Sequence, residues 1–135
     1  MVGLSVKRVI TFGTFDVFHL GHLNILEQAR SFGHQLIVGV STDKLTFDKK
    51  RRNPVYTQEE RRRIVAAINV VDEVFYEESL ERKGDYIKQH RANVLVMGDD
   101  WKGKFDEFSS MCEVVYLPRT PSISTTAIIE KIKSE

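Results

Sequence analysis

The 135 residues hold 41% hydrophobic and 29% charged side chains at a net charge of +1, which fits one folded domain and excludes a disordered or fibrous chain. A single cysteine, Cys112, excludes an internal disulfide, and no apolar run approaches the roughly 20 residues of a membrane span, so a cytoplasmic protein is expected. Basic charge is local: Lys49-Lys50-Arg51-Arg52 and Arg61-Arg62-Arg63 place seven of the 20 basic residues within 15 positions, a cluster that suits a small polyanion better than a nucleic acid.

Met1 to Arg8 carries two basic residues with no extended apolar stretch behind them, and no signal peptide is expected. Val9-Ile10-Thr11-Phe12 predicts a buried strand ending at Gly13. Gly13-Thr14-Phe15-Asp16 then leads into His19-Leu20-Gly21-His22 at the start of a helix predicted over 20–32. There Leu23, Leu26 and Ala29 recur at helical spacing, Ile25 and Phe32 widen the stripe, and Gly33 stops it. Leu36-Ile37-Val38-Gly39-Val40 is the second strand. The polar, basic stretch 42–54 has no clear period and reads as a mobile loop, of the composition needed to close over a triphosphate or simply to face solvent. Thr57-Gln58-Glu59-Glu60 matches a capping box and opens a helix running to about Asn69. A short strand follows over 73–76, then a weaker helix over 80–90 interrupted by Gly84. The fourth strand, 94–97, is closed by Gly98, and the fifth, 113–117, by Pro118. Ser124 reads as the N-cap of a last helix carrying Ile128, Ile129 and Ile132 on one side.

Strands separated by helices require right-handed crossovers, hence an α/β chain forming a single domain with a doubly wound parallel five-stranded sheet. Ligands in such sheets bind beyond the carboxyl ends of the strands, which singles out 13–22, the chain from Ser41 onward, 98–101 and 119–126. His19 and His22 stand three apart at a helix start, and Gly21 lets a ligand approach the backbone. Imidazole N–H donors beside helix amides suit phosphate oxygens, whose charge grows during attack on phosphorus. The plainer alternative is two polar residues at a helix start. Zinc is disfavoured, because only Cys112 and two further histidines remain to complete four ligands. Ser124, Thr125 and Thr126 offer hydroxyls and free amides at another helix start, and Arg119 offers a planar fork for phosphate. An ordinary cap beside a surface arginine is the alternative there.

Gly13-Thr14-Phe15-Asp16 followed by His19-x-Gly-His22 resembles the signature of the nucleotidyltransferase superfamily with a histidine–glycine–histidine motif. Arg119-Thr120-Pro121-Ser122-Ile123-Ser124-Thr125-Thr126 resembles the second signature of its cytidylyltransferase branch. Val71-Asp72-Glu73-Val74 and the stretches 97–106 and 112–118 are similar to the members of that branch that take glycerol 3-phosphate. The likeness runs from about Val9 to Ile132. It implies a Rossmann-like nucleotidyltransferase fold and transfer of CMP from CTP to a phosphorylated alcohol, foremost sn-glycerol 3-phosphate, giving CDP-glycerol, a cell-surface polymer precursor, and pyrophosphate. Another phosphorylated polyol, sugar or amino-alcohol as acceptor, or ATP in place of CTP, are the alternatives.

The same resemblance implies residue roles. His19, His22 and Arg119 would be catalytic. Thr14, Phe15, Gly21, Arg51, Asp100, Thr120, Ile123, Ser124, Thr125 and Thr126 would bind nucleotide together with them, and Lys49, Lys83 and Arg61 would hold the acceptor. Mg²⁺ would arrive with the nucleotide rather than on a protein metal site, and the chain would form a homodimer without nucleic-acid or membrane partners. Two departures stand out. Ser122 occupies a position where the family has glycine, after Pro121; Asn69 stands where the family has a phosphate-contacting arginine, losing charge and fork.

Overall fold

The apolar runs pair side by side in the computed structural model of the chain, which describes residues 6–119 and 123–135. β1 (Arg8–Gly13) lies at the centre of a five-stranded sheet, flanked by β2 (Gln35–Ser41) and β4 (Val94–Gly98), with β3 (Glu73–Glu77) and β5 (Glu113–Leu117) at the edges. All four pairings are parallel. The strand order reverses at β1, so crossovers cover both faces. On one face, Val9, Leu36, Val38 and Val96 pack against Leu26 and Ala29 of α1 (Leu20–Arg30) and Val65 of α3 (Gln58–Ala66). On the other, Ile10, Phe12, Ile37 and Leu95 meet Tyr86 and Ile87 of α4 (Lys83–Gln89) and Phe105. Burial on both faces is why the central strands read as unbroken apolar runs rather than alternating ones. Each wholly buried aliphatic chain contributes about 1.5–3 kcal/mol. Gly39 is required within β2, because a Cβ there would lie 2.6 Å from the Phe12 ring and 2.8 Å from the Phe75 ring.

Several boundaries move. The first helix ends at Arg30 rather than residue 32, and α3 ends at Ala66 rather than Asn69, where Ala67 and Ile68 donate to Ile64 and Val65 in a tighter turn. The Thr57 capping box forms as expected: Thr57 Oγ1 accepts from Glu60 N at 3.2 Å, and Glu60 Oε1 accepts from Thr57 N at 2.9 Å. Gly84 does not interrupt α4 but lies in its first turn, under the Phe108 ring. The stretch expected as a mobile loop holds a further helix, α2 (Asp43–Lys50). Thr42 caps it, its Oγ1 accepting from Leu45 N at 3.1 Å, while Leu45 and Thr46 are buried and Arg51 ends it at φ 58°. α5 (Thr125–Ser134) starts on Ser124 as expected, yet none of its residues is buried and Ile132 is exposed. Among the described residues no helix is long and apolar enough to cross a membrane.

Candidate active site

Where β1 ends, the backbone enters an uncomfortable turn: Phe15 and Val17 take φ values of 55° and 46°. Left-handed backbone is costly for a β-branched residue, about 1–3 kcal/mol, and persists only when surrounding structure enforces it. Here three neighbours do so. The Asp16 carboxylate accepts from the amides of Val17, Val55 and Tyr56 at 3.1, 2.7 and 2.9 Å. Arg61 Nη1 donates to Thr14 O at 2.7 Å, and Thr125 Oγ1 donates to Asp16 O at 2.9 Å. The Phe15 ring is buried in the α1 face of the core.

The turn delivers two histidines to the start of α1. His19 is the N-cap: its Nδ1 accepts from Gly21 N at 3.0 Å, and His22 Nδ1 accepts from His19 N at 3.2 Å. This is a capping box built from imidazoles, with the rings stacked 3.8 Å apart. Because each Nδ1 is an acceptor, each neutral ring carries its proton on Nε2. Burial lowers the pKa of His19. Burial first, then His19 and Lys50, bring His22 down to about 3. At neutral pH the pair therefore offers two N–H donors and no charge. Gly21 makes room for this stack, since a Cβ there would lie 2.8 Å from the His19 ring and 3.3 Å from Ile123 Cγ2.

That last contact brings the second motif to the first. Ile123 lies against Gly21, and Thr125 bonds to Asp16, although 109 positions separate the bonded pair. The starts of α1 and α5 thus face one cavity of about 650 Å³, whose wall includes Thr14, Phe15, His19, Gly21, His22, Asp100, Arg119, Ile123, Ser124, Thr125 and Thr126. Thr120, Pro121 and Ser122 lie outside the described residues. Arg119 Nη2 meets Asp100 Oδ2 at 2.7 Å with both side chains more than 60% exposed, so the pair holds Arg119 only loosely. Arg51 does not line the cavity as expected: its left-handed backbone ends α2, and the neighbouring Lys50 and Arg52 reach the wall instead.

The wall of the same cavity also includes Lys49, Lys83, Glu77 and Thr46. Lys83 is 1% exposed, its Nζ 2.7 Å from Glu77 Oε2 and 3.8 Å from the Phe12 ring centroid. Burial lowers the pKa of Lys83 and of Lys49, and Glu77 opposes the drop in both. Ser41 Oγ donates to Glu77 Oε1 at 3.1 Å and lies 3.3 Å from Lys49 Nζ. Arg61, expected to hold the acceptor, has another task. It is wholly buried, does not line the cavity, and donates to Tyr56 O, Thr14 O, Ser41 O and Asp43 Oδ1 at 2.7–3.0 Å. Its fork ties the β1 turn to the end of β2 and the start of α2. Asn69 is exposed after α3 and is not part of the wall. Among the described residues no group of three or more His, Cys, Asp or Glu side chains gathers to hold a metal. Asp16, Glu77 and Thr46 were not singled out by the sequence; a carboxylate within the first motif was the one available signal.

Comparison with known proteins places the chain in a family. The model of the cytidylyltransferase-like family matches residues 10–131. The glycerol-3-phosphate cytidylyltransferase of Bacillus subtilis is 48% identical, over 94% of this chain and 98% of its own length. The enzyme of the same name from Staphylococcus aureus is 42% identical, over 94% and 96%. Among solved structures, the lipopolysaccharide core biosynthesis protein from Thermoplasma volcanium shares the fold at a TM-score of 0.76 and 20% identity, covering 86% of this chain and 99% of that one.

Proposed function

The chain belongs to the cytidylyltransferase-like family, and from that premise we propose that it transfers CMP from CTP to sn-glycerol 3-phosphate, forming CDP-glycerol and pyrophosphate. The observation that carries the reading is the convergence of two helix starts rich in N–H and O–H donors on one cavity, through Thr125 to Asp16 and Ile123 to Gly21. The relatives named above support the acceptor.

An oxygen of the acceptor's phosphate attacks the α-phosphorus, a new P–O bond forms, and the bond to the β-phosphate oxygen breaks with its electron pair leaving on pyrophosphate. A dianionic acceptor and a tetra-anionic CTP give a dianionic product and tetra-anionic pyrophosphate, so no proton is abstracted and no general base is needed. Catalysis then rests on positioning and on donors for the developing charge. His19 and His22 supply Nε2–H groups already oriented by their Nδ1 bonds. The α5 start, with Ser124, Thr125 and Thr126, cradles the polyphosphate. Arg119 exchanges Asp100 for phosphate, Lys50 and Arg52 add charge to the wall, and Lys49 and Lys83 receive the acceptor's phosphate. The groups assigned to phosphate are N–H and O–H donors, and no cluster of carboxylates or histidines gathers among the described residues to hold a metal, so Mg²⁺ would arrive with the nucleotide and would supply partial neutralisation of the phosphate charge. The enzyme works in the cytoplasm as a homodimer, which the unburied apolar side of α5 accommodates.

A panel of CTP or ATP with glycerol 3-phosphate, other polyol phosphates, sugar phosphates and phosphocholine, read by pyrophosphate release, tests this. Turnover is expected with CTP and glycerol 3-phosphate above all other pairs. Tight CTP binding with no pyrophosphate from any acceptor would overturn the proposal.

A further inference from the structure

Among the described residues the Thr46 hydroxyl is the buried side-chain polar atom left without a hydrogen-bond partner. Folded interiors hold few such groups, and each calls for a reason. Thr46 is 2% exposed and lines the cavity together with Lys49, Glu77 and Lys83. It sits on α2 three residues before Lys49, hence on the same helix face. Lys49 reaches Ser41, Ser41 donates to Glu77, and Glu77 holds Lys83. An ionised carboxylate has about four acceptor positions; Ser41 and Lys83 occupy two on Glu77, leaving capacity for another donor.

Resting on the function proposed above, we infer that Thr46, with Glu77, reads a free hydroxyl of the acceptor, so that the site selects phosphorylated polyols over phosphorylated quaternary amino-alcohols. A polyol hydroxyl donates to Glu77 or Thr46 and accepts from Thr46, completing the orphaned group. A quaternary ammonium head has no hydrogen to donate and faces two ammoniums, Lys49 and Lys83, against the single carboxylate of Glu77. Selection therefore combines a matched hydrogen bond with repulsion of the wrong head group.

The test is steady-state kinetics at saturating CTP with glycerol 3-phosphate, its two singly deoxygenated analogues (1,2-propanediol 1-phosphate and 3-hydroxypropyl phosphate) and phosphocholine. Wild type is compared with Thr46→Val, which keeps shape and removes the hydroxyl, and Thr46→Ser, which keeps the hydroxyl. Thr46→Val is expected to raise KM for glycerol 3-phosphate about 3- to 10-fold, with KM for CTP unmoved, and Thr46→Ser to restore it. One deoxy analogue is already weakened to a similar degree in wild type and indifferent to Thr46→Val. Equal losses on all acceptors in Thr46→Val, or no loss on any, would overturn the inference, as would wild type using phosphocholine as well as glycerol 3-phosphate. If Thr46→Val does not fold, wild type decides: equal use of both deoxy analogues and glycerol 3-phosphate overturns it. A failure confined to these selectivity arms leaves the transferase reading standing, whereas wild type inert with every acceptor removes both.

Discussion

Replacing Arg61 separates a residue that positions the site from one that touches substrate. Its guanidinium is wholly buried and makes four hydrogen bonds, three to the carbonyls of Tyr56, Thr14 and Ser41 and one to Asp43. Arg61→Ala leaves those acceptors unpaired and empties a large volume between the β1 turn and α2. Removing one side of a buried, hydrogen-bonded ion pair costs about 3–5 kcal/mol, partly relieved here because Asp43 is 41% exposed and can turn to water. For a chain of this size the loss amounts to a fall of roughly 10–20 °C in Tm, read by thermal unfolding. Kinetically the damage spreads: Thr14, Tyr56, the end of β2 and the start of α2 all lose their anchor, so kcat falls and KM rises for both substrates. Arg61→Lys keeps the charge but reaches fewer of the four acceptors, and it is expected to fall between wild type and Arg61→Ala. An unchanged melting point in Arg61→Ala, with only the acceptor's KM raised, would refute the reasoning and return Arg61 to the acceptor site.

His19→Ala and His22→Ala are each expected to lower turnover about 10²- to 10³-fold while CTP affinity by calorimetry changes little; unaltered rates would remove them from the mechanism. The pH dependence follows from His22, held at about 3 in the fold against an ordinary value of about 6.5 in the unfolded chain. Between those values the unfolded chain binds a proton that the folded one refuses, so this contribution is whole above pH 6.5 and drains away as pH falls toward 3. Melting scans from pH 8 to pH 4.5 should show a shallower decline in His22→Gln than in wild type, and parallel curves would count against the shift. Arg119→Ala is expected to raise KM for CTP at least 10-fold, as the loss of a bidentate phosphate contact does, with Tm within about 2 °C because its partner pair is exposed; a large drop in Tm would contradict the loose contact with Asp100.

The sheet was legible because its central strands are apolar on both faces and its strand ends are marked by Gly13, Gly98 and Pro118, signals that sit next to each other in the chain. Both helix starts were legible for the same reason, as Ser124 and the Thr57 box cap by local bonds. α2 was hidden: its buried side consists of Leu45 and Thr46, and the lysines after them mask any period. Arg61 was misread because its burial depends on carbonyls up to 47 positions away, and a run of three arginines gives no hint which one turns inward. The spacing of His19 and His22 announced a shared face but not that their Nδ1 atoms would be consumed as caps, which sets the tautomer and hence the chemistry.

The left-handed Val17 beside Asp16 has a bearing on how this protein could be made sturdier. Glycine or asparagine there would ease the backbone, and selection for heat resistance alone would favour such a relaxation. Yet the strained turn holds one shape because its anchors, from Val55, Arg61 and Thr125, enforce it. A softened turn at this spot would let the imidazole pair wander from its aim, trading speed at moderate temperature for survival at high temperature.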